Sequence, residues 1–359
     1  MPGEFQSRLC YTLVADLLRD SEAHLIEAKS VRFLCTYPWV AGKRLRPIAF
    51  LLSNLSVRLD RHGRVSADGR ESRLAAAIEL LHEASLVHDD LVDRAQVRRG
   101  VPTVQMDNGQ GLALLIGDYM VFRGLKLVLD AAQSREDILL AQQLADTGLQ
   151  IAHGEADQLD RYLRRLDWNE RMSLPHYLDV IAKKTAAFFA GCCEAGAAMA
   201  GAPPALRQVY REFGLNLGLH FQIMDDVMDV AGDASVARKS LRNNLAEGTV
   251  TLPMIHAWAL FPRSPLLRKV AAAVPLDDAA QAALYRRLAG RAVIDRCLET
   301  AGGFYQEAQD RLRLMPVNIY RSGLADLLDY IRGCPWGGLE RPPRTGRRKR
   351  AVRDDVTGA

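Results

Sequence analysis

The sequence predicts an all-α protein, a single-domain bundle of roughly ten to fourteen helices covering residues 1–336. Three observations lead there. The chain of 359 residues is 48% hydrophobic and 25% charged, the balance of a globular domain with a sizeable core, and Ala, Leu, Arg, Glu and Gln dominate it. Apolar residues recur every three or four positions through most of residues 5–332, the period of one helix face. Alternating β-branched runs joined by hairpin turns are absent.

Breakers at Pro38, Gly63 to Gly69, Gly100 to Pro102, Pro175, Gly201 to Pro204, Pro262 to Pro265, Pro275 and Pro316 divide these helices. Residues 77–93 and 213–230 are apolar around almost their whole circumference apart from their acids, so they belong inside the bundle. The N-terminus lacks a cationic start followed by an apolar run. No apolar stretch reaches the ~18 residues a spanning helix needs. The six cysteines (10, 35, 192, 193, 297 and 334) have no metal-ligand spacing and read as reduced thiols, so a cytoplasmic setting is expected.

The formal charge is +4, but from Arg341 to Ala359 seven Lys/Arg face only Asp354 and Asp355. The folded body is therefore near neutral. Residues 337–359, rich in Gly, Pro and Arg, read as a disordered basic tail. Its GRRKR run reads as a solvated extension, with weak attraction to anionic membrane surfaces and no nucleic-acid partner expected.

Two acidic triplets carry the chemistry. Asp89, Asp90 and Asp93 repeat as Asp225, Asp226 and Asp229, and in each the outer pair has i,i+4 spacing, which puts both carboxylates on one helix face. Both lie in apolar stretches, LLHEASLVHDDLVD and GLHFQIMDDVMDV, where an uncompensated carboxylate is costly. Hard divalent cations bridging to substrate phosphate compensate such clusters, and inward carboxylates on two central helices are an established way to build a metal site. A solvated polar face would explain one such triplet; two in apolar helices point to a magnesium–diphosphate site.

Upstream, Gly42-Lys43-Arg44-Leu45-Arg46-Pro47 ends at a proline suited to a first helical turn, and its cations and backbone N–H groups favour an anion. Arg98-Arg99-Gly100 sits one to two turns beyond Asp93. Of the two histidines on the first acidic helix, His88 reads as a satisfied core residue.

GKRLRP, ELLHEASLVHDDLVD, RRG, Gly117-Asp118, Lys184-Thr185 and FQIMDDVMD, in that order, resemble the trans-isoprenyl diphosphate synthase (polyprenyl synthetase) family over most of residues 40–255. The resemblance implies a bundle around a central cavity, and geranylgeranyl or longer-chain synthesis. Asp89, Asp93 and Asp225 would hold about three Mg2+ ions on the diphosphate of an allylic substrate. Asp90, Asp226 and Asp229 would be further ligands or would support them. Lys43, Arg46, His82 and Arg99 would form the isopentenyl diphosphate pocket. Arg98, Lys184 and Lys239 would contact the allylic diphosphate, and Thr185 and Gln222 would place oxygens near the allylic cation. A homodimer is implied as well. No covalent nucleophile is needed, in keeping with the absence of Ser/His/Asp or Cys/His signatures.

After the second triplet the chain departs from the family pattern GKxxGxDLxEGKxTLP. Lys239, Leu245, Glu247, Gly248 and Thr251-Leu252-Pro253 match, whereas Arg238, Arg242, Asn244 and Thr249 do not, and His220 replaces a small residue before Phe221-Gln222. These changes bear on catalytic power more than on fold. Product length is set in the family by side chains just before the first triplet. Here Ala84 and Ser85 are small, with Leu81 one turn deeper, which argues for C20 or longer unless Met120 or Phe122 restores bulk. Two other readings are a terpene cyclase, which has no use for a second diphosphate pocket, and a weakly active or regulatory subunit of a heteromeric synthase, which would be expected to lose aspartates.

Overall fold

The two helices that carry the acidic triplets each bury a large part of their length against the helices packed on them. The computed structural model describes residues 12–29, 42–62, 69–98, 101–132, 135–162, 172–231, 249–272 and 274–333. The chain enters through α1 (Thr12–Lys29) and α2 (Leu45–His62) and reaches α3 (Arg70–Val92), which bears the first triplet. A two-residue antiparallel ladder follows, β1 (Val97–Arg98) with β2 (Val101–Pro102), and then α4 (Val104–Asn108), α5 (Gln110–Ala131) and α6 (Arg135–Tyr162). Next, α7 (Leu174–Ile181), a π-helical segment (Ala182–Ala186) and α8 (Ala187–Met199) form one continuous rod. The second triplet lies on α9 (Pro204–Ala231). The remaining helices are α10 (Leu252–Leu260), α11 (Pro265–Ala271), α12 (Asp278–Leu288), α13 (Arg291–Arg313) and α14 (Ile319–Arg332). With the continuous rod counted once, thirteen helices stand among the described residues, within the expected range. Among the described residues the ladder is the one departure from helix and turn, and it is too short to leave a sequence pattern.

The helix boundaries at Pro275 and Pro316 fall where the breakers predict them. Past Pro275, Asp277 Oδ1 accepts from Ala280 N at 2.7 Å and starts α12. Past Pro316, Asn318 Oδ1 accepts from the backbone N–H groups of Tyr320 and Arg321 at 3.1 Å and starts α14. Pro175 lies in the first turn of α7 rather than at a break, since its missing N–H has no helical partner to lose there.

Two apolar cores result. Phe50, Leu51, Leu52 and Leu55 of α2, Phe189 of α8, and Phe213 and Leu217 of α9 are wholly excluded from water, each contributing about 1.5–3 kcal/mol. A second cluster joins Ala76, Ala77, Leu80 and Ala84 of α3 to Ile116, Met120 and Leu127 of α5. Helix α8 packs between α2 and α9, and α13 covers α9 from another side. His220 serves that last contact: it is buried, its Nδ1 lies 3.0 Å from the Ala301 carbonyl oxygen, and its ring meets that of Tyr305. Burial holds its pKa below the ordinary value, so it is a neutral packing residue.

Cys192, Cys193 and Cys297 are free and buried, and burial pushes the Cys193 thiol up to about 12, which makes it unreactive. The other cysteines and the basic tail lie outside the described residues. Among the described residues, no helix is long and apolar enough to cross a membrane.

Candidate active site

Helix α3 ends at the first triplet, and the way it ends builds half the site. Asp93 is its C-cap, and Arg94 follows in the left-handed region at φ 52. Ala95 N donates to Asp90 O at 2.9 Å and Arg94 N to Leu91 O at 3.3 Å, a Schellman closure with arginine where glycine is usual. The chain therefore turns back instead of running on. The short ladder then returns Arg98 to the helix end, where its Nε donates to Asp90 Oδ1 at 2.8 Å and its Nη2 to Asp89 Oδ2 at 2.9 Å. The expectation that Arg98 lies one to two turns beyond Asp93 is corrected by this reversal.

The other half arrives on the π-helical segment. An extra residue in a helical turn re-aims side chains, and such segments are frequent at functional sites. Here Lys184 Nζ donates to Asp89 Oδ1 at 2.9 Å and pairs with Glu155 Oε1 of α6 at 2.7 Å. The next residue points to the other motif: Thr185 Oγ1 donates to Gln222 Oε1 at 2.8 Å, and Gln222 Nε2 donates to Asp226 Oδ1 at 3.0 Å. Two consecutive residues thus tie the triplets of α3 and α9 into one site.

The electrostatics of the triplets differ. Burial works to raise Asp89, but Lys184 and then Arg98 outweigh it and hold this carboxyl below the usual range. Burial first, then the charge of Asp89, push Asp93 up to about 6. Glu155 is pushed up to about 7, by burial against the pull of Lys184. On α9, Asp225 meets water in the site yet is enclosed by protein. That enclosure, then Asp229 and Asp226, raise its carboxyl to about 7. Asp226 is buried and is raised to about 6 by burial, against three donors: Tyr177 Oη at 2.8 Å, Gln222 Nε2 at 3.0 Å and Leu252 N at 3.2 Å.

These observations sort four of the six acids. Asp226 has its oxygens taken by neutral donors, and Asp90 is held by Arg98, so both support the site from behind. Among the described residues, no donor or cation lies in hydrogen-bond contact with Asp225. Enclosed carboxylates raised to about 6 and 7 at Asp93 and Asp225 fit a hard divalent cation, which takes oxygen ligands and favours their charged form.

The basic motif at the start of α2 divides by role. Arg44 turns inward and pairs with the buried Glu79 and with Glu83, whose Oε1 lies 3.9 Å away, so it is an internal ion pair of α2 and α3. Arg46 Nη1 lies 3.1 Å from His82 Nε2, and its guanidinium sits over the rings of Phe188 and Phe189 at 5.3 and 4.7 Å. Lys43 Nζ lies 5.9 Å from the Tyr330 ring centre. Lys43 and Arg46 also bear electrostatically on Asp225, which places this corner beside the second triplet. Arg99, Lys239, Arg238, Arg242 and Asn244 lie outside the described residues. Thr249 precedes α10 in a non-helical stretch.

Along α3, Leu81, Ser85 and His88 are partly open, whereas Ala84 is wholly buried against α5. Ser85 Oγ donates to the His82 carbonyl at 2.7 Å. His88 Nε2 lies 3.4 Å from Asp118 Oδ1, so His88 faces a carboxylate rather than pure core. Phe122 is 70% exposed and cannot add bulk beside Ala84, while Met120 is fully buried.

Sequence reasoning missed Glu155, Tyr177 and the inward role of Arg44. A signal existed for the first in Gly154: a Cβ there would stand 2.8 Å from Lys184 N, so the glycine lets α6 meet the π segment.

With this geometry in view, four likenesses carry weight. Residues 29–287 match the family model described as polyprenyl synthetase. The chain is 34% identical over 293 residues to heptaprenyl diphosphate synthase component 2 of Geobacillus stearothermophilus, covering 81% of this chain and 85% of that one. Its fold matches a crystal structure of a decaprenyl diphosphate synthase from Rhodobacter capsulatus with a TM-score of 0.77 at 28% identity, over 90% of this chain and 98% of that one. It also matches a polyprenyl synthase from Caulobacter crescentus CB15, complexed with calcium and isoprenyl diphosphate, with a TM-score of 0.72 at 29% identity, over 89% and 97% of the two chains. An all-α bundle with paired aspartate triplets, matched by family and by fold, is a prenyl-transferring enzyme: this chain belongs to the polyprenyl synthetase family.

Proposed function

We propose that the chain is a magnesium-dependent trans-prenyl diphosphate synthase that condenses isopentenyl diphosphate with an allylic prenyl diphosphate, head to tail, to give an all-trans product of C20 or longer. The observation that carries this reading is the bridge from Asp89 through Lys184 and Thr185 to Gln222 and Asp226, which gathers both triplets at one site. Bound Mg2+, held by Asp89, Asp93 and Asp225, would supply electrostatic stabilisation of the departing diphosphate. Lys184 and Arg98 share Asp89 in the structure and would be redirected to phosphate oxygens when that carboxylate is claimed. In the reaction the allylic C1–O bond breaks, isopentenyl C4 bonds to C1, and a C2 proton leaves to the released diphosphate. The Thr185 and Gln222 oxygens would face the cation formed at C1, and the apolar walls exclude water that would otherwise trap it as an alcohol.

Arg46 beside His82, with Lys43 near, supports a second diphosphate pocket, which favours condensation over cyclisation of a single substrate. Leu115, Phe122 and Leu129 stand exposed at intervals of seven along α5, and this apolar strip supports a homodimer.

The test is a product assay with purified protein, Mg2+, isopentenyl diphosphate and C5, C10, C15 or C20 primers, sized by mass. A homologous series of linear prenyl diphosphates is expected. Hydrocarbon or alcohol from one primer with isopentenyl diphosphate ignored would overturn the reading.

A further inference from the structure

Arg44 occupies a position that its local chemistry does not favour. Its carbonyl oxygen accepts the first hydrogen bond of α2, from Ile48 N at 3.0 Å, so Arg44 is the N-cap. N-caps are usually Ser, Thr, Asp or Asn, whose side-chain oxygens satisfy the first N–H groups, and arginine has none to offer. Its backbone is also left-handed, at φ 53, where any Cβ is crowded. The compensation is tertiary. Glu79 and Glu83, four apart on one face of α3, are both buried and both paired with the Arg44 guanidinium. His82, between them, meets Arg46. One face of α3 thus holds Arg44 and Arg46 together.

Two carboxylates outnumber the one guanidinium between them. Burial raises the Glu79 carboxyl, and the cations that oppose it are Arg44 and, more weakly, Arg46. Arg46 is therefore within the pull of these acids while its guanidinium lies against His82, Phe188 and Phe189. We infer that Arg44 is a positioning residue for the second diphosphate pocket. It occupies Glu79 and Glu83, so that Arg46 stays at the pocket instead of folding back onto them, and it pins the turn that carries Lys43. The inference rests on the synthase reading above. A second ion pair on the same two helices serves as the comparison. Arg58 of α2 pairs with the buried Glu71 of α3, about 20 Å along α2 from Arg44.

Isothermal titration with isopentenyl diphosphate in excess chelator tests this without turnover and without metal on the aspartate triplets. Arg44→Met is expected to weaken binding about tenfold or more, and Arg58→Met to lower Tm with affinity kept within about twofold. Adding Glu79→Gln and Glu83→Gln to Arg44→Met should restore affinity to within about threefold of wild type, since no buried acid then competes for Arg46. In the product assay, Arg44→Met should raise KM for isopentenyl diphosphate about tenfold and leave KM for the allylic primer within about twofold. Should Arg44→Met fail to fold, Arg44→Lys keeps the charge, loses the fork and carries the same direction with a loss of about threefold. Three results would overturn the inference: wild-type affinity in Arg44→Met or Arg44→Gly, a loss that removing the acids does not reverse, or an equal loss in Arg58→Met. Those outcomes leave the synthase reading standing. The reading of a second diphosphate pocket fails instead, and the inference with it, if wild type binds no isopentenyl diphosphate or if Arg46→Ala binds as tightly as wild type.

Discussion

The two aspartate triplets have the same spacing and sit on the same kind of apolar helix, yet they are opposites electrostatically. The first is met by cations: Arg98 and Lys184 grip Asp89, whose carboxyl is held low. Among the described residues, neutral donors engage Asp226 of the second, and Asp225 is left raised to about 7. Spacing places carboxylates on a face, but other elements decide their charge. One triplet has cations to hand over to a diphosphate; the other has an acid that only a cation would satisfy.

The sharpest way to break this contrast is to remove its centre. Asp89→Ala is expected to lower kcat/KM by about 10^3-fold or more, since it removes a metal ligand and leaves Lys184 and Arg98 misdirected. Steady-state kinetics with a fixed primer would measure it, and a loss below tenfold would contradict the role. Next come two adjacent lysines. Lys184→Ala should cost about 10^2-fold or more in kcat. Lys183→Ala should cost less than about threefold, because Lys183 only pairs with the exposed Asp179 and Asp157.

On the second triplet, Tyr177→Phe removes a buried donor to Asp226 and should destabilise the fold by about 1–3 kcal/mol in urea unfolding. Its effect on Mg2+ affinity should be small beside that of Asp225→Asn.

Titration gives a subtler contrast. Asp93 and Asp225 are raised to about 6 and 7, and a divalent cation needs them deprotonated, so Mg2+ affinity should climb from pH 5 to pH 8 with proton release on binding. The linkage has the opposite sign without metal. A carboxyl raised above its unfolded value of about 4 contributes stability below that pH and loses it as pH rises through 6 to 7. Added Mg2+ should therefore raise Tm more at pH 8 than at pH 5.5. The smallest effect belongs to Arg94→Gly, which relieves a left-handed arginine and should stabilise by up to about 1 kcal/mol.

Much of this was legible in the sequence, for local reasons. Helical period, breakers at Pro275 and Pro316, and the i,i+4 aspartates are short-range signals, and they placed α3, α9 and the start of α2. Lys184, Thr185 and Gln222 were found through the family resemblance rather than through spacing. What stayed hidden depends on partners far along the chain. Arg44 looked like Lys43 and Arg46 until Glu79 and Glu83 of the next helix claimed it. Asp226 looked like Asp225 until Tyr177 and Leu252 N took its oxygens. The reversal that brings Arg98 back to Asp89 rests on an arginine in a glycine conformation, which no pattern announces.

The central claim is that both triplets act together on a metal-bound diphosphate. Isothermal titration of an unreactive allylic thiolodiphosphate at pH 8, with Mg2+ and then with excess chelator, tests it most directly. Binding that needs Mg2+, and that either Asp89→Asn or Asp225→Asn weakens by about tenfold or more, is the predicted result. Equal affinity with chelator, or indifference to Asp225→Asn, would contradict it.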